Sequence, residues 1–252
     1  MNETSQYYNG FGGLPVDIST HGWQIDKLFY SVHILMILLF VGWLSFLIYT
    51  LIKFRQRPGH KAEYNPVKTK LGSYLEVGVA LVEVSLLVFL AVPAWKAAKT
   101  LRPTGSNVVQ VRVVAEQFAW NIHFPGKDGV FGNTKVELVD IDNPLGLDPE
   151  DPASKDDIFT INDLHLPIDR PIYIKLTSKD VIHNFYVPVL RVKQDAVPGM
   201  VYPVIFQAKQ TGSFDIACAQ LCGLGHYRMK GAITMETEDD FQTWLSENAP
   251  SI

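Results

Sequence analysis

The amino-acid sequence predicts a two-helix membrane hairpin followed by an all-β sandwich or barrel domain. Two long apolar segments occupy the N-terminal part of the 252-residue chain. The C-terminal part contains short segments in which apolar and polar residues alternate, as in strands with one buried face. It is also acidic, whereas the N-terminal part is basic. We therefore expect an outward-facing N-terminal segment at 1–25, a hairpin at 26–102 and a soluble domain at 103–252.

Both apolar segments are long enough to cross a bilayer as helices. The first, from Leu28 to Ile52, has twenty-five residues without Asp, Glu, Lys or Arg. A helix of this length would measure about 37 Å, which exceeds the thickness of the hydrocarbon layer. The second, from Val77 to Trp95, has nineteen residues and is interrupted only by Glu83. The alternative is a buried hairpin of a soluble protein, but such helices are rarely this long.

The loop between the two segments is basic, which predicts the orientation of the hairpin. Cytoplasmic loops of membrane proteins have an excess of Lys and Arg, so we expect this loop in the cytoplasm and both termini outside. The cationic residues of the loop are Lys53, Arg55, Arg57, Lys61, Lys68 and Lys70.

The soluble domain is predicted to be built from strands. Alternating patterns at 108–114, 171–178 and 213–219 indicate three of them, and the Gly-, Pro- and Asp-rich stretch 125–157 indicates a long surface excursion. The acidic sequence "ETEDDFQTWLSENA" predicts a short closing helix. Residues 103–252 contain twelve Lys or Arg and twenty Asp or Glu. Such a surface attracts basic partners and repels nucleic acid.

The stretch "CAQLCGLGHYRM" at 218–229 contains both cysteines of the chain, a histidine and a methionine. In an oxidising compartment the cysteines could form a disulfide. Thiolate, thioether and imidazole ligands together favour copper, and a zinc site has no use for the methionine. Two thiolates could also bridge two copper ions if a second histidine were near, and His183 in "DVIHNFYVP" is the candidate. On spacing alone, the disulfide and the dicopper site are both open.

Three motifs give the chain a resemblance to cytochrome c oxidase subunit II over nearly its whole length: "EQFAW" at 116–120, "DVIHNFYVPVLRVKQDAVPG" at 180–199 and "CAQLCGLGHYRM". The resemblance implies a helical hairpin that anchors a cupredoxin-like β-barrel with the dinuclear copper centre CuA. The implied ligands are the bridging thiolates of Cys218 and Cys222, the imidazoles of His183 and His226, the thioether of Met229 and the backbone carbonyl of Gln220.

The resemblance also implies a function. CuA would accept electrons from cytochrome c and pass them to haem in subunit I, where oxygen is reduced to water and protons are pumped. The chain would then belong to an enzyme without containing its catalytic residues. Expected partners are subunits I and III, cytochrome c and the lipid bilayer. The expected location is the bacterial inner membrane, crossed by both helices, with the CuA domain on the periplasmic side, rather than the mitochondrial inner membrane. The chain has no CxxCH sequence, so we expect no covalently attached haem c.

Three positions depart from the usual pattern of the family. Gln220 replaces a glutamate that helps to bind magnesium or manganese at the interface with subunit I. Whether this chain helps to bind that second metal is therefore open. Phe118 replaces the tryptophan that receives electrons, so electron uptake is assigned to Phe118 and Trp120, with core packing as the alternative. Met200 replaces an arginine near the haem propionates of subunit I.

Two glutamates in the second apolar helix are candidates for a proton path. The position of Glu76 matches a family glutamate at the opening of a proton channel in subunit I, although a solvated charge is the simpler reading. Glu83 follows seven residues later, on roughly the same helix face, which we expect to pack on subunit I.

The resemblance leaves rival functions. One is a membrane-anchored copper electron carrier or copper-delivery protein outside an oxidase. Two others are a quinol oxidase subunit II, which lacks copper ligands, and a nitrous oxide reductase type, which lacks the hairpin.

Overall fold

The computed structural model describes residues 13–59, 61, 69–99, 105 and 107–250. These residues form two compact units, one containing Gln24–Ala97 and the other containing the described residues up to Trp23 and from Ala98 onward. Lys68 and parts of 1–25 and of 100–106, on which some sequence expectations fall, lie outside the described residues. The expected domain boundaries stay a prediction.

The helical unit contains the two apolar segments. Helix α1 is Gly22–Lys53, and a second continuous helix is formed by α2 (Leu71–Leu86), a π-helical turn (Leu87–Ala91) and α3 (Val92–Lys99). Both helices are long and apolar enough to cross a membrane. The π-helical turn ends two residues before Pro93, and the N–H of Val92 donates to the carbonyl of Leu87. Because proline has no N–H to donate, a local change of helical pairing is expected there.

The second unit is a sandwich of two five-stranded sheets, which confirms the predicted all-β domain. The sheet orders are β3-β2-β1-β5-β8 and β4-β10-β9-β6-β7. The predicted strands at 108–114, 171–178 and 213–219 correspond to β1, β5 and β9. The strands are β1 (Val109–Glu116), β2 (Ala119–Phe124), β3 (Ile158–Ile161), β4 (Asp163–Pro167), β5 (Ile172–Ser178), β6 (His183–Val187), β7 (Val192–Ala196), β8 (Tyr202–Phe206), β9 (Gly212–Cys218) and β10 (Lys230–Glu236).

The core lies between the inner faces of the two sheets. In β5, Ile172, Ile174 and Leu176 are fully buried, and the residues between them are partly exposed. This alternation follows from the period of two in a strand, which places successive side chains on opposite faces. Trp120 from one sheet and Phe185 from the other meet edge to face, with ring centroids 5.5 Å apart. The sandwich therefore supplies a packed support for the loops at its ends.

The segment before α1 belongs to this β-sandwich. Ile18 is buried, its N–H donates to the carbonyl of Val189 and its carbonyl accepts from Lys209 N–H. Ser19 forms an antiparallel bridge with Ala208. The sequence does not reveal this pairing, because the paired segment is too short to show a strand pattern.

The excursion 125–157 contains two short 3₁₀ turns, Val136–Leu138 and Pro152–Lys155, and no strand. Its C-terminal end is fixed by Asp157, whose buried carboxylate lies 2.6 Å from Nε2 of His123. The same carboxylate accepts hydrogen bonds from the N–H groups of Gly126 and Gly132. The excursion is thus anchored at both of its ends beside β2.

The predicted closing helix is α4, Glu238–Asn248. The Thr237 hydroxyl caps it by accepting a hydrogen bond from Asp240 N–H. The first turn contains three acidic residues, in agreement with the helix dipole. Trp244 of this helix stacks on His165 of β4 at 4.4 Å, which holds the helix against the sandwich.

Candidate metal centre

The residues singled out by sequence meet at one end of the sandwich. His183 begins β6 and Cys218 ends β9, and these two strands are adjacent and antiparallel, with Phe185 paired to Cys218. The chain then forms a loop through Cys222 and a 3₁₀ turn at His226–Arg228 before β10. Strand pairing therefore brings together two loops that are more than thirty residues apart in the sequence.

Six possible donor atoms converge between these loops. Sγ of Cys218 lies 3.8 Å from Sγ of Cys222 and 3.3 Å from the backbone oxygen of Gln220. Sγ of Cys222 lies 3.6 Å from Nδ1 of His226 and 3.8 Å from Sδ of Met229.

The second histidine completes the cluster. Nδ1 of His183 lies 3.2 Å from Sδ of Met229. One ligand atom each from His183, Cys218 and Cys222 lie within 4.8 Å of one another, and this is the one such group found in the described part of the chain. All six residues named from the motifs are thus brought together, although their binding of metal stays a prediction.

The cluster has the dimensions and the chemistry of a copper site. Both cysteines are free, and their sulfur atoms are much farther apart than the roughly 2.0 Å of a disulfide. A thiolate binds a transition-metal ion at about 2.3 Å, so a single ion can contact both sulfurs at this separation. Thiolates, a thioether and imidazoles are soft ligands that favour copper over hard cations. The residues present therefore fit a copper centre.

The thiol of Cys222 resists ionisation in the absence of metal. Its burial and the neighbouring Cys218 thiol raise the pKa of Cys222 to about 11. At neutral pH the thiol is protonated, so metal binding must release this proton.

Asp180 orients one of the histidines. Its carboxylate lies 2.8 Å from Nε2 of His183 and accepts the N–H groups of Gln117 and Val181 at 2.7 and 2.6 Å. Burial of the carboxyl opposes ionisation, but these hydrogen bonds outweigh it and the pKa of Asp180 is lowered. With Nε2 donating to the carboxylate, the lone pair of Nδ1 points toward the sulfur atoms. Asp180 lies within the motif at 180–199, but the sequence alone gave it no role.

Gln117, in the turn between β1 and β2, joins the two ligand loops. Its backbone N–H donates to Asp180, which holds His183, and its side-chain amide donates to the carbonyl of Cys222 at 2.6 Å. Residues 219–229, between β9 and β10, are called the copper loop below. Sequence reasoning missed Gln117, because nothing in the motif "EQFAW" indicates which side chain reaches this loop.

Comparison with known proteins decides the family. Residues 109–236 match the family described as cytochrome C oxidase subunit II, periplasmic domain. The chain belongs to the cytochrome c oxidase subunit II family. It is 37% identical over 209 residues to the alternative cytochrome c oxidase subunit 2 of Bradyrhizobium diazoefficiens, covering 82% of this chain and 74% of that protein. It is 30% identical over 263 residues to cytochrome c oxidase subunit 2 of Synechocystis, covering 97% and 78%.

A solved structure is also similar. The periplasmic domain of subunit II of cytochrome oxidase (CoxB) of Bradyrhizobium japonicum has 26% sequence identity and a TM-score of 0.43, covering 59% of this chain and 96% of that chain. Membership of the subunit II family makes this chain a subunit of an oxidoreductase complex with a cupredoxin-like domain. The two apolar helices fit a membrane-anchored protein with a periplasmic domain.

The two aromatic residues assigned to electron uptake lie at different depths in the sandwich. Phe118 is half-buried, and its ring packs against Gly223 and Gly225 of the copper loop. Trp120 is fully buried, with its ring edge-on to His183 at 6.3 Å between centroids. Of the two residues, only Phe118 is exposed enough to contact a protein partner. A role of either residue in electron uptake stays a prediction.

The two glutamates of the hairpin are both exposed on the second helix. Glu83 lines a groove of about 420 Å³ between the helices, together with Val32, Leu35 and Met36 of α1. Glu76 is not among the residues of this groove. A proton path through either carboxyl stays a prediction.

Proposed function

We propose that this chain is the electron-accepting subunit of a haem-copper cytochrome c oxidase, and that the six residues of this cluster would hold a dinuclear copper centre. The bound copper centre would supply one-electron chemistry, taking electrons from a cytochrome c and passing them to haem in subunit I. Reduction of oxygen and proton pumping would occur in that partner subunit. The observation that supports this best is the convergence of six soft or neutral donor atoms from two loops of the sandwich.

The protein contributes a rigid and dry enclosure. His183, Cys222 and Met229 are buried, so water has little access to them. Asp180 fixes the ring of His183, and Gln117 ties the carbonyl of Cys222 to the neighbouring turn. Donor atoms held in this way move little when the charge of the metal changes, and a small rearrangement favours fast electron transfer. Burial also disfavours copper delivery, which needs exposed and exchangeable ligands.

The remaining family features are part of the same proposal. The hairpin would cross the membrane twice with its basic loop in the cytoplasm, and subunit III would be a further partner. Gln220 is exposed and offers an amide where the family has a carboxylate, so whether a magnesium or manganese ion binds there stays open. Phe118 would receive electrons and Glu76 and Glu83 would border a proton path. If Glu83→Gln leaves oxygen consumption and proton pumping unchanged, the proton role of Glu83 is ruled out.

The decisive experiment is metal analysis with electron paramagnetic resonance of the copper-loaded full chain. We expect two copper ions per chain and a seven-line hyperfine pattern from one electron shared over both. Cys218→Ser should abolish this spectrum. Met229→Leu should alter it, whereas the matched control Met200→Leu should not, because Met200 lies outside the cluster and accepts a hydrogen bond from Tyr202. A four-line pattern, one copper per chain or a Cys218–Cys222 disulfide would contradict the proposal.

A further inference from the structure

Two cations occupy neighbouring positions on the outer face of the sheet β3-β2-β1-β5-β8. Arg112 of β1 is paired in register with Lys175 of β5. Val113, next to Arg112, and Ile174, next to Lys175, are fully buried in the core. Successive side chains of a strand lie on opposite faces, so both cations lie on the face that points away from the core. Adjacent strands are about 4.8 Å apart, and like charges in register on them repel each other.

An aromatic ring of the excursion 125–157 lies against both cations. The guanidinium carbon of Arg112 lies 4.9 Å from the centroid of the Phe131 ring, and Nζ of Lys175 lies 4.6 Å from it. His123 packs edge-on to the same ring, with centroids 5.1 Å apart. The face of a ring attracts a cation but has no net charge. Phe131 therefore holds the two cations close together without neutralising them.

The protein supplies no direct counter-charge to this pair. Neither Arg112 nor Lys175 is ion-paired with a carboxylate in the part of the chain that the structure describes. The carboxylates closest to them on this face are engaged elsewhere. Asp157 is hydrogen-bonded to His123 and to two backbone N–H groups. Glu116, four residues further along β1, forms an ion pair with Lys179.

Burial makes the two charges costly. It lowers the pKa of Arg112, and the charge of Asp157 opposes this only in part. It also lowers the pKa of Lys175, and the neighbouring charge of Arg112 lowers that pKa further. Both side chains are nevertheless half-buried rather than enclosed, and Gln110 beside them is exposed. An anion from outside can therefore reach both cations and would relieve their repulsion.

We propose that Arg112 and Lys175 form a binding site for a phosphate-bearing anion, either a soluble phosphate or the phosphate headgroup of a lipid. A guanidinium can donate two parallel hydrogen bonds to phosphate oxygens, and an ammonium adds a compact positive charge with three donors. A phosphate monoester has a charge of about −1.5 to −2 at neutral pH, which matches the two cations better than one carboxylate does. Gln110 and Tyr173 are paired in register on the same face, two residues before the cations, and add an amide and a hydroxyl beside the site. The site uses none of the predicted copper ligands, so the inference does not rest on the proposed function.

The test measures the melting temperature of the full chain in detergent, with inorganic phosphate as the first probe and pyrophosphate as the second. Sodium chloride keeps the ionic strength constant, so that screening does not change between samples. We expect phosphate at about ten times its dissociation constant to raise the melting temperature by about 3–6 °C. Chloride alone should have no such effect, because a spherical monovalent ion cannot accept the paired hydrogen bonds of a guanidinium.

Reconstitution in lipid nanodiscs distinguishes the two sources of phosphate. In phosphatidylcholine nanodiscs, a rise in melting temperature that requires added phosphate would support the site and assign it to a soluble anion. In nanodiscs that contain phosphatidic acid, whose headgroup is a phosphate monoester, a rise without added phosphate would support the site and assign it to lipid.

Variants separate anion binding from the packing of the ring. Arg112→Gln and Lys175→Gln should each weaken phosphate binding about tenfold. Lys193→Gln is the matched control, because Lys193 lies over the ring of Tyr186 at 5.8 Å and that ring has no second cation. It should leave phosphate binding unchanged. Lys175→Glu places a carboxylate beside Arg112, so it should raise the melting temperature without phosphate and remove the response to phosphate. Phe131→Leu removes the ring and should keep that response.

Four results would overturn the inference. An equal response to phosphate in the unmodified chain and in Lys175→Glu would show that the anion binds elsewhere. A rise that chloride reproduces would reduce the effect to screening. If neither phosphate nor phosphatidic acid changes the melting temperature, the two cations only hold Phe131 and the excursion in place. A response that is present in the isolated chain and lost in the oxidase complex would mean that a partner subunit covers the pair. The seven-line copper spectrum is independent of all four results, so the proposed function can stand or fall separately.

Discussion

Replacing Gly225 by alanine tests whether the turn between β1 and β2 supports the copper loop. A Cβ atom at this position would lie 2.4 Å from Cδ2, 2.6 Å from Cγ and 2.7 Å from Cε2 of Phe118. Carbon atoms in contact prefer a separation of about 3.5 Å, so the ring and the loop must separate by about 1 Å. Overpacking of this kind costs about 1–3 kcal/mol of unfolding free energy. Cys222 lies three residues before Gly225 and His226 follows it directly, so the displacement would reach two of the donor residues.

The measurements for Gly225→Ala are the melting temperature of the full chain in detergent and the copper spectrum. We expect the melting temperature to fall by about 2–4 °C for each kcal/mol and the hyperfine pattern to change. The backbone at Gly225, with φ −91° and ψ 6°, suits alanine as well as glycine. In a Phe118→Ala background the clash is gone, so the same substitution should be neutral or stabilising by about 0.4–1 kcal/mol.

Gly223 provides a matched comparison for the test of Gly225→Ala with and without the Phe118 ring. Its φ of +137° lies in the region that side chains rarely adopt, so Gly223→Ala should remain destabilising in both backgrounds. If Gly225→Ala costs the same with and without Phe118, the ring does not support the loop and the reasoning fails.

Three other changes have expected outcomes. Gln117→Leu removes the hydrogen bond to the Cys222 carbonyl and should destabilise the loop by about 1 kcal/mol. The variant should lose copper to a chelator faster than the unmodified chain does. An unchanged rate of copper loss would exclude this link between the loops. Asp157→Ala leaves buried His123 and two backbone N–H groups without an acceptor. The free energy of unfolding should fall by about 3 kcal/mol, measured as a lower melting temperature. A fall of less than about 1 kcal/mol would contradict the anchoring role of Asp157. Burial lowers the pKa values of His21 and His123, so the unfolded chain binds more protons below pH 6.5 and stability should fall as the pH drops through that value. Melting temperatures that stay constant from pH 7 to about 5 would refute this dependence.

The structure also explains why single residues around the cluster have linked roles. Gln117 donates to Asp180 through its backbone and to Cys222 through its side chain, and Phe118 covers the two glycines of the copper loop. The turn that contains them therefore contacts both ligand loops. A substitution in this turn is expected to alter the metal centre, even though neither residue is a predicted ligand.

Much of this protein follows from its sequence alone. The two apolar helices can be predicted because a membrane-spanning segment must be long and uncharged. Strands β1, β5 and β9 can be predicted because apolar and polar residues alternate with a period of two in a half-buried strand. The ligand types at 218–229 indicated soft-metal chemistry, since thiolate, thioether and imidazole are an unusual combination. Their spacing did not decide between a disulfide and a copper site, because it contains no distances.

Only the tertiary structure decided the features that depend on contacts between distant segments. Pairing of β6 with β9 brings His183 to the cysteines, and Ile18 enters the sandwich through hydrogen bonds that no local pattern predicts. Trp120 is buried while Phe118 reaches the surface, although both belong to the same short motif. The acidic total of the domain follows from composition, but which carboxylates are paired, such as Asp157 with His123, follows from the fold. Composition adds charges without regard to position, whereas Coulomb attraction depends on the distance between them.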